Sequence, residues 1–264
     1  MITLLAISAV AAQSVPENGP AAPVARSAVE AGVSAGFEYQ EGNFGAAQRI
    51  ETSSIPFSAY ANKGRLQFGA TLPYLRVDAP GNVVGGGGGI LGLPIIVDPT
   101  EPPGRVRREG IGDLELGAAY TIPSEDIGLT FSGQVKVPTA STAKRLGTGE
   151  FDYALGAELS RSFGRVTPFV GVGYTMPGDP EHYDLGNSLS ARAGAAVQMG
   201  KRVRGHVTYG YAESISPLIP DEQQISTGIN AGLSDRLSLG LYGAAGLSKG
   251  SPDVGAGVRL GTSF

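Results

Sequence analysis

From Val29 onward, apolar side chains recur at every second position and the charged residues keep off the face they form. Val29, Ala31, Val33, Ala35, Phe37 and Tyr39 alternate with Glu30, Gly32, Ser34, Gly36, Glu38 and Gln40. Successive side chains of a strand point to opposite sides of its sheet, so this period specifies strands with one apolar face and excludes amphipathic helices. The pattern returns over 66–74, 114–122, 127–137, 151–159, 166–174, 189–197, 203–211, 225–233, 237–247 and 254–264, with a weaker stretch of mixed parity near 50–61. About twelve strands follow from that count, with no helical run of any length.

Charge placement decides what the apolar face meets. Arg65, Asp113, Glu115, Lys136, Asp152, Glu158, Arg192, Arg202, Arg204, His206 and Arg259 all fall on the opposite face, among many Gly, Ser and Thr. A soluble sandwich alternates too, with its apolar side turned inward. Three features select a barrel in lipid instead. Short connections (62–64, 123–126, 163–164, 199–201, 234–235) alternate strictly with longer ones (41–49, 76–109, 138–149, 177–187, 213–223, 248–253), as in outer-membrane barrels. Tyr39, Tyr74, Phe151, Tyr153, Tyr174, Tyr209 and Tyr211 gather near the long-loop ends, and Tyr120 and Phe264 near the short-turn ends, as two interfacial girdles. The last strand, Val254 to Phe264, ends in Phe and resembles the assembly signal of bacterial outer-membrane barrels. Closure is required because an unpaired backbone group in hydrocarbon costs several kcal/mol.

The expected fold is therefore all-β: a transmembrane antiparallel β-barrel of about twelve strands in a bacterial outer membrane, with N- and C-termini periplasmic. Its expected partners are outer-membrane lipid, the barrel-assembly machinery engaging the strand that ends at Phe264, and a small-molecule solute. Met1–Ala12 is apolar and ends in small residues, which reads as a signal peptide. It lacks a positive n-region, so the true start is expected upstream. Residues 13–27, QSVPENGPAAPVARS, read as a flexible linker before a barrel over 28–264. Composition narrows the function. The 264 residues carry a net charge of −4, which provides no footprint for nucleic acid. No cysteine is present and His182 and His206 are the only histidines, so thiolate chemistry is excluded and no metal or other cofactor is expected.

Three segments carry a family resemblance. Gly110-Ile111-Gly112-Asp113-Leu114 with Gly117 and Tyr120, then Lys136-Val137-Pro138-Thr139, then Leu146-Gly147-Thr148-Gly149 with Asp152, resemble the motifs of the outer-membrane proteins grouped under the "MetA pathway of phenol degradation". The resemblance implies a small porin-like barrel that passes small hydrophobic or aromatic compounds.

The inward charges are the candidate solute-facing residues. Arg192, Arg202, Arg204 and His206 fall on the eighth and ninth strands, and Asp113, Glu115, Asp152 and Glu158 on the fourth and sixth, so the two groups are expected to face each other across the lumen. They either set a field that orients a polar solute or pair to fill the interior. Asp113 and Asp152 have a second reading as caps of loop amides near Thr148 and Gly149, with Lys136 able to reach either acid. Loop 76–109 holds a polyglycine run, 85–89, without the strand–P-loop–helix context of a phosphate cradle. Its apolar stretch Leu91–Val97 has three readings: an inward plug, a strand extension above the membrane, or a greasy port. His182 reads as a solvated loop residue. The favoured function is passive passage of small solutes. A closed structural barrel is the alternative, and a lipid hydrolase using His206 with Ser190 or Ser226 is the weakest reading, because no nucleophile elbow accompanies them.

Overall fold

The computed structural model describes residues 29–46, 48–85, 95–98, 104–123, 127–181 and 183–264. The expected signal peptide and the linker to residue 27 lie outside the described residues, as do His182 and most of the polyglycine run.

The barrel strands are β1 (Glu30–Gly42), β2 (Ile50–Lys63), β3 (Leu66–Pro80), β4 (Arg105–Ile111 continuing as Leu114–Pro123), β5 (Ile127–Val137) and β6 (Asp152–Arg161). They continue as β7 (Val166–Met176), β8 (Ser188–Gln198), β9 (Val203–Ala212), β10 (Glu222–Gly232), β11 (Leu237–Gly246) and β12 (Val254–Ser263). Each pairs antiparallel with the next, and β12 returns to β1 from Ser263↔Gly32 to Val254↔Glu41. The thirteen hydrogen-bonded segments, with the two of β4 taken as one, make a closed twelve-stranded barrel without an edge.

Burial runs opposite to that of a soluble protein. Along β6, Asp152 and Ala154 are buried while Tyr153 and Leu155 are exposed; Leu155 is 58% exposed. Phe57, Phe131, Val172, Leu189 and Leu241 are likewise exposed, whereas Ser34, Glu38, Ser58, Gln134, Thr208 and Ser226 are buried. The apolar face therefore meets lipid and the polar face lines the lumen. At the long-loop rim the girdle tyrosines turn their hydroxyls to polar groups: Tyr39 donates to Glu41 (2.8 Å), Tyr211 to Asp221 (2.9 Å) and Tyr209 to Gln223 (3.1 Å).

The expected 76–109 loop is shorter than its composition suggests, because 76–80 and 105–109 are strand. Pairing of β3 with β4 continues from Tyr74↔Ile111 to Pro80↔Arg105, so a hairpin projects beyond the rim and only 81–104 connects it. Period two persists there with its polarity reversed. Leu75, Val77 and Ala79 are buried inward, while Arg76, Arg105, Arg107 and Glu109 are exposed. Once a strand leaves the bilayer its outer face meets water, and the rule for a soluble sheet applies. The same effect explains the mixed parity near 50–61: Ile50 points inward at the mouth, whereas Ile55 and Phe57 point to lipid lower down.

The two segments of β4 meet at a bulge. Thr71 faces Glu115 and Tyr74 faces Ile111, so Leu72 and Pro73 lie opposite Gly112, Asp113 and Leu114. The Gly112 N–H donates to the Pro73 carbonyl at 2.8 Å. A Cβ on Gly112 would lie 2.8 Å from Leu75 Cδ1 and 2.9 Å from Pro73 Cγ, so the bulge closes only around glycine. The extra residue shifts parity and turns Asp113 wholly inward.

Candidate functional site

The three motif segments converge at the long-loop end of the lumen. Gly110–Asp113 form the β4 bulge, Lys136–Thr139 end β5, and Leu146–Gly149 belong to the loop before β6. The Thr139 hydroxyl donates to the Gly112 carbonyl (2.8 Å) and accepts the Leu114 N–H (2.9 Å). Asp113 Oδ1 accepts the Ala140 N–H at 2.9 Å, and Asp152 Oδ1 accepts the Gly178 N–H at 2.9 Å. Lys136 Nζ lies between the acids, 2.7 Å from Asp152 and 3.4 Å from Asp113, and donates to the Thr148 hydroxyl at 3.3 Å. All three charged side chains are buried. Gly147 packs against the Asp113 carboxylate, which would lie 2.7 Å from any Cβ there. Glu115, one pair below, accepts from Gln134 at 3.0 Å.

The acids thus cap loop amides, but at Ala140 and Gly178 rather than at Thr148 and Gly149, and Lys136 reaches both. One cation serves two carboxylates, so this node ties two outer loops to the wall and keeps a negative balance. Above it, Phe44, Ile50, Leu75, Val77, Ala79, Val83, Ile95, Ala140 and Leu146 form an apolar cluster across the mouth. The described part of the Leu91–Val97 stretch divides between two of its expected roles. Ile95 joins this cluster, and Ile96–Val97 form a short ladder with Val83–Val84. Charged pairs surround the mouth: Arg105 to Asp78 (2.6 Å) and to Glu51 (3.1 Å), Arg107 to Asp78 (3.0 Å), and Arg49 to Glu41. Asp78 sits on the projecting hairpin. Burial pushes its carboxyl up, but Arg107 and Arg105 outweigh that and hold it below the ordinary carboxylate range.

Lower in the lumen the expected opposition of charges does not form. Arg192 pairs with Glu158 at 2.5 Å, but these sit on β8 and β6, two strands apart on one wall, and not across the lumen. Arg202 is drawn out of the lumen altogether: it precedes β9 and pairs with the exposed Asp235 of the next short turn. The Arg192 pairing reflects register, since β7 carries glycine at 171 opposite both Arg192 and Glu158 and leaves the guanidinium room to cross. Arg204 and His206 remain on the lumen face of β9. No hydroxyl among the described residues hydrogen-bonds the His206 ring; Ser226 lies opposite Thr208 instead.

Sequence reasoning overlooked the lumen aromatics. Tyr60, Phe169 and Tyr242 stand on the polar parity of their strands, and each faces a glycine: Gly32, Gly194 and Gly257. His206 faces Gly228 in the same way. Each ring lies where the glycine's Cβ would be, 2.5 Å from it for Tyr60 and His206 and 2.7 Å for Phe169, so the rings lie against the wall. Arg192 approaches the Phe169 ring to 6.0 Å. The available signal was an aromatic residue out of phase with its apolar neighbours and opposite a glycine. Glu38, which pairs with Arg259 at 3.1 Å, was equally out of phase. At Gly257 the three atoms nearest to a Cβ all belong to the Tyr242 side chain. Gly257→Ala is expected to push that ring into the lumen and lower single-channel conductance while the barrel still folds; unchanged conductance would show that Tyr242 does not bound the path.

The family model described as "Putative MetA-pathway of phenol degradation" matches residues 28–264. No curated protein sequence matches the chain. Among solved structures, the fold is similar to that of an outer membrane channel from Pseudomonas putida F1, with a TM-score of 0.66 at 14% identity over 95% of this chain and 100% of that one. It is also similar to the NanC porin (TM-score 0.53, 8% identity, 88% of this chain and 98% of that chain). The translocator domain of the autotransporter NalP from Neisseria meningitidis is a third likeness (TM-score 0.53, 11% identity, 98% and 93%). The architecture shared with all three is the bacterial outer-membrane β-barrel.

Proposed function

We propose, starting from the fact that this chain belongs to the family described as "Putative MetA-pathway of phenol degradation", that it is a passive outer-membrane channel for small solutes, hydrophobic and aromatic ones included. The observation that carries this reading is the lumen wall itself. Polar side chains and flat-lying aromatic rings line the inside of a closed barrel whose outside is apolar, so a small amphipathic molecule meets both hydrogen-bonding groups and ring faces. Passage needs no cofactor and no catalytic step. The short turns and both ends of the chain face the periplasm in this reading, and the long loops face outward. A segment ahead of residue 28 serves to export the chain.

The mouth cluster favours a second state of the same protein. With Leu75, Val77 and Leu146 fully buried there, the outer opening is covered by loops and solute passage requires them to part. Planar-bilayer recording of the refolded full chain, with uptake of phenol by proteoliposomes, tests the reading. Steady conductance or phenol uptake above that of protein-free vesicles supports a channel. Silence in both from a heat-modifiable, folded barrel would replace it with a closed structural barrel.

The terminal residue bears on assembly. Phe264 is 73% exposed on the short-turn rim, and its backbone exchanges hydrogen bonds with Ala31 (2.9 and 3.2 Å). Phe264→Ala keeps those bonds and removes the ring. Insertion in cells is expected to slow several-fold while refolding of purified protein in detergent is unchanged. Unaltered insertion would remove the ring from any role in targeting.

A further inference from the structure

We propose that the short-turn half of the lumen holds a binding subsite for a small aromatic carboxylate, anchored by Arg204. On the membrane-spanning parts of the strands, four cations face the lumen, Lys136, Arg192, Arg204 and Arg259; Arg108, on the projecting hairpin, is buried too but donates to the Val83 and Pro80 carbonyls. Three are matched by carboxylates, Lys136 by Asp113 and Asp152, Arg192 by Glu158, and Arg259 by Glu38. Arg204 has no carboxylate among the described residues, and its Nε is closed off from solvent with no acceptor. Arg204 is half-buried, a cation in the lumen without a counter-charge carries a cost, and that cost falls when an anion takes its donors.

The surroundings specify what kind of anion. Register places Gln198 of β8 and Asn230 of β10 on either side of Arg204, so residues with amide side chains flank the cation in the ladder and neither neighbour is an acid. The planar guanidinium fork matches the two oxygens of a carboxylate and offers them parallel hydrogen bonds. One step up the same face, about 7 Å along the strand, is His206, whose ring lies over Gly228. A carboxylate held on Arg204 thus places an attached ring beside the flat imidazole. Further up, Phe169 lies over Gly194, which pairs with Thr208, continuing the aromatic wall in the direction of the mouth. A neutral aromatic can use the rings but leaves Arg204 unpaired. The subsite therefore prefers the ionised acid over its uncharged analogue.

This inference rests on the lumen being reachable by solutes, and the test separates the two. The refolded full chain in detergent is titrated with sodium benzoate and, separately, with benzyl alcohol, by isothermal titration calorimetry. Benzoate is expected to bind at least tenfold more tightly than benzyl alcohol. Arg204→Gln should lower benzoate affinity at least tenfold and leave benzyl alcohol unchanged, and Arg204→Lys, which keeps the charge without the fork, should fall between. Equal affinity for the two ligands, no benzoate binding by the unaltered protein, or full benzoate affinity in the Gln variant would each overturn the subsite. The first two comparisons need no variant to fold. A barrel that conducts ions yet ignores benzoate would sink the subsite and leave the channel standing. Saturable benzoate binding by a non-conducting barrel would support the subsite and remove the channel.

Discussion

Leu155→Arg is expected to block assembly of the barrel. Leu155 is 58% exposed on the lipid face of β6, between Tyr174 of β7 and Gly133 of β5 in the ladder. In a soluble protein so exposed a position would tolerate arginine with little effect. Here the exposed side meets hydrocarbon below the girdle of Tyr153 and Tyr174, where the cost of arginine rises from about 1 kcal/mol at the interface to about 2–4 kcal/mol at the midplane. Ala193→Arg, on the same face of β8, is expected to behave alike, whereas Ser160→Arg, on the lumen parity of β6, should be tolerated. The readout is the heat-modifiable electrophoretic shift of the folded barrel in membranes. Normal folding of Leu155→Arg would overturn the assignment of the lipid face.

Lys136→Met is expected to be the most damaging change inside the lumen. It removes the one cation between Asp113 and Asp152 and leaves two buried carboxylates together, at a cost of about 3–5 kcal/mol where both partners were desolvated. The ion pairs at 2.7 and 3.4 Å also hold the segments that donate through the Ala140 and Gly178 N–H groups, so the loops at the mouth should loosen. Two measurements check this: a lower denaturant midpoint for refolded protein, and faster amide exchange over 138–150 than in the unaltered chain. Adding Asp113→Asn should recover part of the loss, since one carboxylate then remains, on the Gly178 N–H. A double variant no more stable than the single one would show that the node is held by packing around Leu146 and Gly147 and not by charge.

The contrast between these two positions shows how far local sequence reaches. Whether Leu155 faces lipid depends only on its own strand, because alternation is a property of neighbours in sequence. The lumen charges are different. Register brings Ala140 to Asp113 across 27 residues and Arg259 to Glu38 across 221. Alternation says that both members of such a pair face inward, but not which inward charge each will meet. Hence Arg192 was legible as a lumen residue and its partner Glu158 was not, and Arg202 could not be told from Arg204 until the turn brought Asp235 within reach. The projecting hairpin was hidden for a related reason. Its outward charges at Arg76, Asp78, Arg105 and Arg107 look like loop composition until the bilayer is known to end near Tyr74.

The sequence by itself determined that this chain is a closed antiparallel barrel in lipid, because the period, the charge-free face and the alternating connections are local and recur along its length. The tertiary structure alone decided that the motif segments form a node around Lys136, that aromatic rings lie on glycines of the adjacent strand, and that Arg204 has no counter-ion among the described residues. Those outcomes depend on strand register and on a one-residue bulge at Gly112–Asp113, and neither is encoded in the spacing of residues along a single strand.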